Sequence, residues 1–270
     1  MRINNNLMAM NTHRQLSLTN NSGAKSMEKL SSGMRINRAG DDAAGLSISE
    51  KMRAQVRGLN QASRNAQDGI SMIQTAEGAL QETHAILQRM RELSVQAAND
   101  TNVTVDRTAL KNEIDTLVSE IGRIATSTTF NEKKLLNGSL KSANLQIGAD
   151  KGVNMTLTIT TMTAAKLSVN ALTIGSHTKA ASAVAKVDAA IKLVSAERSK
   201  LGANQNRLEH TIKNLDNASE NIQASESRVR DVDMAKEMMT FTKNNILQQA
   251  AQAMLAQANQ APQGVLQLLR

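Results

Sequence analysis

The sequence predicts a mostly α-helical protein, a long antiparallel coiled-coil helical rod with a small β-hairpin and its two ends paired. Three observations predict it. Two stretches far apart in the chain carry apolar residues every seven positions. The period changes to two over one short region only. And the 270 residues include no Cys, Trp or Tyr, two Phe and one Pro. A core without large aromatic side chains must be built from Leu, Ile, Val, Ala and 14 Met. That suits thin helix–helix layers better than a thick sandwich or barrel.

The N-terminal stretch, residues 3–34, places Ile3, Leu7, Met10, Leu18, Met27 and Leu30 at helical but sparse spacing among many Asn and Ser. The first seam follows. Leu59, Ala66, Ile73, Leu80, Leu87 and Ser94 lie seven apart, with Ala62, Gly69, Ala76, Thr83, Met90 and Ala97 beside them. This is an a/d pattern with small residues on the d side, which implies close helix approach. At about 1.5 Å per residue the seam is on the order of 60 Å long. Gly58, Gly69 and Gly78 sit in it, each costing roughly 1 kcal/mol against Ala in a helix interior. Gly69 falls on the seam itself, which points to close packing by another backbone.

After a loop at Asn99-Asp100-Thr101-Asn102, Leu110, Ile114, Leu117, Ile121 and Ile124 alternate by four and three, with Thr104 or Asp106 as a helix cap. Beyond Asn137-Gly138 the period becomes two. Leu145, Ile147 and Ala149, then Val153, Met155, Leu157 and Ile159, alternate with polar residues around Asp150-Lys151-Gly152. This predicts a hairpin over about 140–162. Residues from about 163 to 180 read as a short, small-residue connector. The second seam is Val187, Val194, Leu201, Leu208, Leu215, Ile222 and Val229, with Val184, Ile191, Arg198, Gln205, Ile212, Ser219 and Glu226 as a half-polar flank. Residues 234–258 carry Met234, Met238, Met239, Phe241, Ile246, Leu247, Met254 and Leu255 around the helix. A helix apolar on several sides needs partners on several sides, and one chain offers too few. Each long seam also needs a partner, so the chain folds back with its N-terminal region beside its C-terminal region.

Composition excludes several classes of chemistry. Absence of Cys removes disulfides, thiolate metal sites and a cysteine nucleophile. His13, His84, His177 and His210 have no second ligand at metal-binding spacing. Neither phosphate-cradling glycine motif nor a nucleophile elbow occurs. Asp41 and Asp42 are adjacent, but neighbouring helical side chains diverge by about 100°. They read as helix caps or as partners of Arg35, Arg38 or Lys51. No active site and no cofactor is expected, and no enzyme. The formal charge is +8, with ten Lys/Arg against four Asp/Glu in residues 1–64 and 22 against 20 in the rest. The cations are dispersed, so neither nucleic acid nor membrane is expected as a partner. A basic nucleic-acid-binding coiled coil would need them clustered. Residues 1–6 carry no apolar signal-peptide core, and no apolar run approaches the roughly 18 residues of a membrane span.

The run Leu30-Ser31-Ser32-Gly33-Met34-Arg35-Ile36-Asn37-Arg38-Ala39-Gly40-Asp41-Asp42-Ala43-Ala44-Gly45-Leu46-Ser47-Ile48-Ser49 resembles the N-terminal signature of bacterial flagellin. The likeness continues through Met52-Arg53-Ala54-Gln55-Val56-Arg57-Gly58-Leu59 and Gln74-Thr75-Ala76-Glu77-Gly78-Ala79-Leu80. It resumes in Gln260-Ala261-Pro262-Gln263-Gly264-Val265-Leu266-Gln267-Leu268-Leu269. The resemblance covers about 1–137 and 184–270. It implies an inner-tube domain of paired terminal helices, residues 1–40 plus 235–270, and a rod domain, 41–234. The segment between the halves is too short for the variable outer domains of many relatives. It also implies a structural subunit of the flagellar filament, exported unfolded by the flagellar type III route and extracellular without a cleaved signal peptide. Implied partners are other copies, the flagellar cap, the hook–filament junction proteins and an export chaperone at the C-terminal region. Polymerisation would rest on Ile3, Leu7, Met10, Phe241, Ile246, Leu247, Met254, Leu255, Val265, Leu266, Leu268 and Leu269. Gln88-Arg89-Met90-Arg91-Glu92-Leu93-Ser94-Val95 resembles the segment read by a host Toll-like receptor. By that likeness Arg89, Leu93 and Glu113 are receptor or inter-subunit contacts. The alternative within the same superfamily is a hook–filament junction protein, against which the C-terminal match argues.

Overall fold

The computed structural model describes residues 6–268, and their side chains through residue 260. Five helices and two short antiparallel strand pairs make up the described chain. They are α1 (Leu7–Ser32), α2 (Ala43–Ala97), α3 (Thr104–Ser127), β1 (Thr129–Phe130), β2 (Lys133–Lys134), β3 (Ala143–Gln146), β4 (Asn154–Leu157), α4 (His177–Arg230) and α5 (Met234–Leu268). The chain divides into two compact units, Gln55–Glu220 and Met1–Ala54 with Asn221–Arg270.

The Gln55–Glu220 unit holds the hydrophobic core. In α2 both edges of the predicted seam are buried, from Ala62 and Ala66 through Ile73, Ala76, Leu80, Leu87 and Met90 to Ala97. In α4, Val187, Val194, Leu201, Leu208 and Leu215 are buried, while Leu59 and Ile222 at the seam ends are half-buried. The two helices run antiparallel. Arg91 pairs with Asp188 at 2.6 Å, Arg198 with Glu77 at 3.6 Å, and Asn60 accepts from Ser219 at 2.8 Å. Over the first half of α4 the buried flank lies one residue from the predicted one, while further along Ser219 of the predicted flank is buried. Ala183, Ala190 and Glu197 are buried, whereas Val184, Ile191 and Arg198 are half-exposed.

α3 returns along α2 and buries Ile114, Ile121 and Ile124. Its start is capped by Asp106, whose carboxylate accepts the Val103 backbone N–H at 3.2 Å; Val103, not Thr104, is the cap residue. The predicted hairpin is β3–β4, with Leu145 opposite Met155. It lies against α2: Asn65 Nδ2 donates to the Gln146 carbonyl at 3.0 Å. A Cβ at Gly58 would stand 2.8 Å from Ala149 Cβ and 3.3 Å from its Cα. One at Gly69 would stand 2.5 Å from a Leu145 methyl. The close backbone approach is therefore at Gly58. At Gly69 the neighbours are the side chains of Leu145 and Leu208, and Gly78 faces open space.

Two features were not expected. β1–β2 is a second small hairpin whose turn, Asn131-Glu132, has positive φ at both residues, 46° and 64°. The connector is a packed strap rather than a polar link, with Leu167, Val169, Leu172 and Ile174 buried. Glu197 anchors the chain entering it. Its carboxylate, almost closed to solvent, accepts the Thr160 backbone N–H and the Thr160 hydroxyl, each at 2.9 Å.

Candidate assembly surface

The other unit is built differently. α1 and α5 pack together, and the start of α1 is tied to α5 by Asn6. Its amide oxygen accepts the Ala9 N–H at 3.1 Å and its amide nitrogen donates to the Ala258 carbonyl at 2.7 Å. An Asn before an apolar helical run is a capping signal in the sequence, so the place of this residue is legible there.

At the other end of α1 the chain is locked by main-chain bonds. Gly33 closes the helix at φ 70°, in the left-handed region that favours glycine. Arg35 N–H then donates to the Arg230 carbonyl at 2.6 Å and Val232 N–H to the Gly33 carbonyl at 3.0 Å. Ile36 is buried beneath this junction. The acidic pair caps. Asp41 accepts the N–H groups of Asn37 (3.2 Å) and Arg38 (3.0 Å), and Asp42 accepts that of Gly45 (2.8 Å) at the head of α2. Those two N–H groups, Arg38's first, hold the Asp41 carboxyl below the ordinary carboxylate value. The Arg38 guanidinium goes instead to Glu28, at 3.0 Å. Of the described cations in residues 1–64, only Arg38 and Arg53 (to Glu226, 3.1 Å) have an ion-pair partner.

What this unit lacks is an apolar core. Among its described residues the buried side chains are Thr19, Ser26, Ile36, Ser49 and Ala258. Leu7, Met8, Met10, Leu18 and Met27 on α1 are exposed, as are Met234, Met238, Met239, Ile246, Leu247 and Met254 on α5. That is eleven of the seventeen exposed large hydrophobic residues described. Met238, Met239, Ile246 and Leu247 border one shallow apolar groove with Thr242 and Lys243. Contiguous apolar surface of this kind is the mark of an interaction face.

The predicted terminal residues fall on this face in part. Leu7, Met10, Ile246, Leu247 and Met254 are exposed, whereas Phe241 and Leu255 are half-buried. Val265, Leu266 and Leu268 lie in the backbone of α5, and Ile3 and Leu269 lie outside the described residues. Met8, at 71% the most exposed methionine described, joins them on this face.

Within the Gln55–Glu220 unit, Arg89 and Glu113 are brought together at 2.9 Å, and Arg89 also meets Glu92 at 3.2 Å. Both carboxylates raise the Arg89 pKa further, Glu113 foremost. Leu93 is different. It is 1% exposed and belongs to the core. Among the described residues no cluster of His, Cys, Asp and Glu could hold a metal ion. No described helix is long and apolar enough to cross a membrane.

Comparison with known proteins decides the family. The bacterial flagellin N-terminal helical region matches residues 3–141, and the bacterial flagellin C-terminal helical region matches residues 184–269. The chain belongs to the bacterial flagellin family. It is 64% identical to a flagellin of Halalkalibacterium halodurans and 55% identical to a flagellin of Bacillus subtilis, with all of both chains covered in each case. It is 52% identical to the flagellar filament 33 kDa core protein of Treponema phagedenis, again over both full lengths. Among solved structures, a Bacillus cereus flagellin crystal structure superposes with a TM-score of 0.50 at 33% identity, covering 56% of this chain and 88% of that one. As a flagellin, the chain is a structural subunit of the flagellar filament, and its exposed terminal helices have the character such a subunit needs.

Proposed function

We propose that this flagellin is exported unfolded through the flagellar type III channel and polymerises outside the cell into a helical tube that serves motility. Residues 1–40 with 235–270 would form the inner tube, and 41–234 the surrounding rod domain. The observation that carries this reading is the inverted burial of α1 and α5. Eleven of their large apolar side chains face solvent, and the fully buried side chains of α1 are Thr19 and Ser26. Such a pair gains too little on its own to offset chain ordering, and other copies would supply the missing apolar contacts. Contacts that are not self-complementary propagate as an open helix rather than closing. The flagellar cap, the hook–filament junction proteins and an export chaperone at the C-terminal region are the expected partners. No catalytic role is proposed.

Arg89 and Glu113 form the best candidate contact for a host Toll-like receptor or for a neighbouring subunit, since both heads are partly exposed and pre-oriented by each other. Leu93 would act from beneath, by holding the helix face in place. Arg89→Ala is expected to reduce both receptor signalling and swimming of bacteria that carry it. Normal swimming with reduced signalling would make this an exposed patch with no part in assembly. The reading as a whole is tested by electron microscopy of polymer grown from the purified chain. Helical tubes are expected, and a chain that stays monomeric when seeded with preformed flagellar filaments would overturn it.

A further inference from the structure

The 14 methionines are sorted by place. Met72, Met90, Met155 and Met162 are buried in the Gln55–Glu220 unit. Met8, Met10 and Met27 on α1, and Met234, Met238, Met239 and Met254 on α5, are all exposed. Every exposed methionine described thus stands on the two terminal helices. Met34, at the end of α1, is half-buried, and its sulfur accepts a bond from Arg230 Nε at 3.2 Å. The chain has no Cys, Trp or Tyr, so thioethers are its readiest targets for a two-electron oxidant.

We infer that the methionines of α1 and α5 form an oxidation site that gates assembly. This rests on the reading of those helices as the polymerising surface. A peroxide such as hydrogen peroxide transfers one oxygen atom to the methionine sulfur. The thioether is oxidised to a sulfoxide, the peroxide O–O bond breaks, and water leaves. A flexible apolar side chain becomes a polar one. Seven such conversions fall on a face whose value lies in being apolar, while the core methionines are shielded. The unassembled chain is therefore vulnerable and loses the ability to polymerise. The assembled chain, with these sulfurs covered by neighbours, resists. Methionine sulfoxide reductases supplied with a dithiol reverse the loss: the sulfoxide oxygen leaves as water and the dithiol is oxidised to a disulfide.

The test treats the full-length chain with graded hydrogen peroxide, before or after polymerisation, and maps sulfoxides by peptide mass spectrometry. Expected in the unassembled chain is modification of the seven terminal-helix methionines well ahead of Met72, Met90, Met155 and Met162. Equal rates at the two groups would overturn the site. The critical concentration for polymerisation should rise by about tenfold or more, equivalent to roughly 1.4 kcal/mol. Treatment with methionine sulfoxide reductases and a dithiol reductant such as dithiothreitol should return it to the starting value. An unchanged critical concentration after full modification, or no recovery on reduction, overturns the gate. Failure of the untreated chain to polymerise counts against the assembly reading itself, and so separates the two. Filaments treated in parallel should stay intact and take up little oxygen; rapid sulfoxide formation in filaments overturns the protection.

Discussion

At the scale of single residues, the structure turns several sequence features from candidates into parts with a stated job. Asp41 and Asp42, which the sequence offers as caps or as partners of Arg35, Arg38 or Lys51, are turn and helix caps. Because backbone N–H groups favour the ionised Asp41, its folded pKa is depressed. Its contribution is then complete above the ordinary value of 3.8 and is lost as the pH falls through the folded value. The Asn37 and Arg38 amides are expected to be protected from hydrogen exchange at neutral pH and to lose that protection in acid. In Asp41→Ala they should show little protection relative to the intrinsic exchange rate at any pH; protection indifferent to both acid and substitution would show that the carboxylate does not hold this turn. Along the eight-residue run Gln88–Val95, Arg89 is exposed and Leu93 lies in the core, because successive residues of a helix turn to different faces.

At the scale of elements, the long-period pattern was the readable part. Both seams survive because a heptad spacing repeated over many turns leaves one face that can be buried and little choice of register. The β3–β4 hairpin was legible for the same reason at period two. What was not legible had no period. β1–β2 depends on left-handed backbone at Asn131 and Glu132, and Glu is not a residue whose presence announces such a turn. The strap at 163–176 buries Leu167, Val169, Leu172 and Ile174 at mixed spacings of two and three, among Ser, Thr and Ala, so it read as a connector. In the first half of α4 the buried flank falls on Ala183 and Ala190, which are weak hydrophobic signals beside Val184 and Ile191. The seam predicts a measurable contrast along one helix. Leu201 is fully buried and Leu193 is 50% exposed. Leu201→Ala is expected to destabilise the chain by about 2–5 kcal/mol, and Leu193→Ala by no more than about 0.5 kcal/mol, read from urea unfolding followed by circular dichroism. Comparable effects of the two would mean that α4 is not held by this line.

At the scale of the whole molecule, the two units divide the work of folding and the work of assembly. The Gln55–Glu220 unit has its own apolar cluster running from Ala66 to Leu208, and so has the means to fold alone. The unit of α1 and α5 carries its apolar residues on the outside and needs company. Removing residues 235–270 takes away all of α5 but its first residue, the Asn6–Ala258 tie and five of the eleven exposed apolar side chains of the terminal helices. The truncated chain is expected to stay soluble and to keep the cooperative thermal transition of the remaining helices within a few degrees of the full chain. It should form no filaments by electron microscopy at any concentration that polymerises the full chain. Filaments grown from the truncation would place the assembly contacts elsewhere, and loss of the thermal transition would mean that the core unit depends on α5. Retained folding with lost polymerisation is the combination that a division of labour between the units requires.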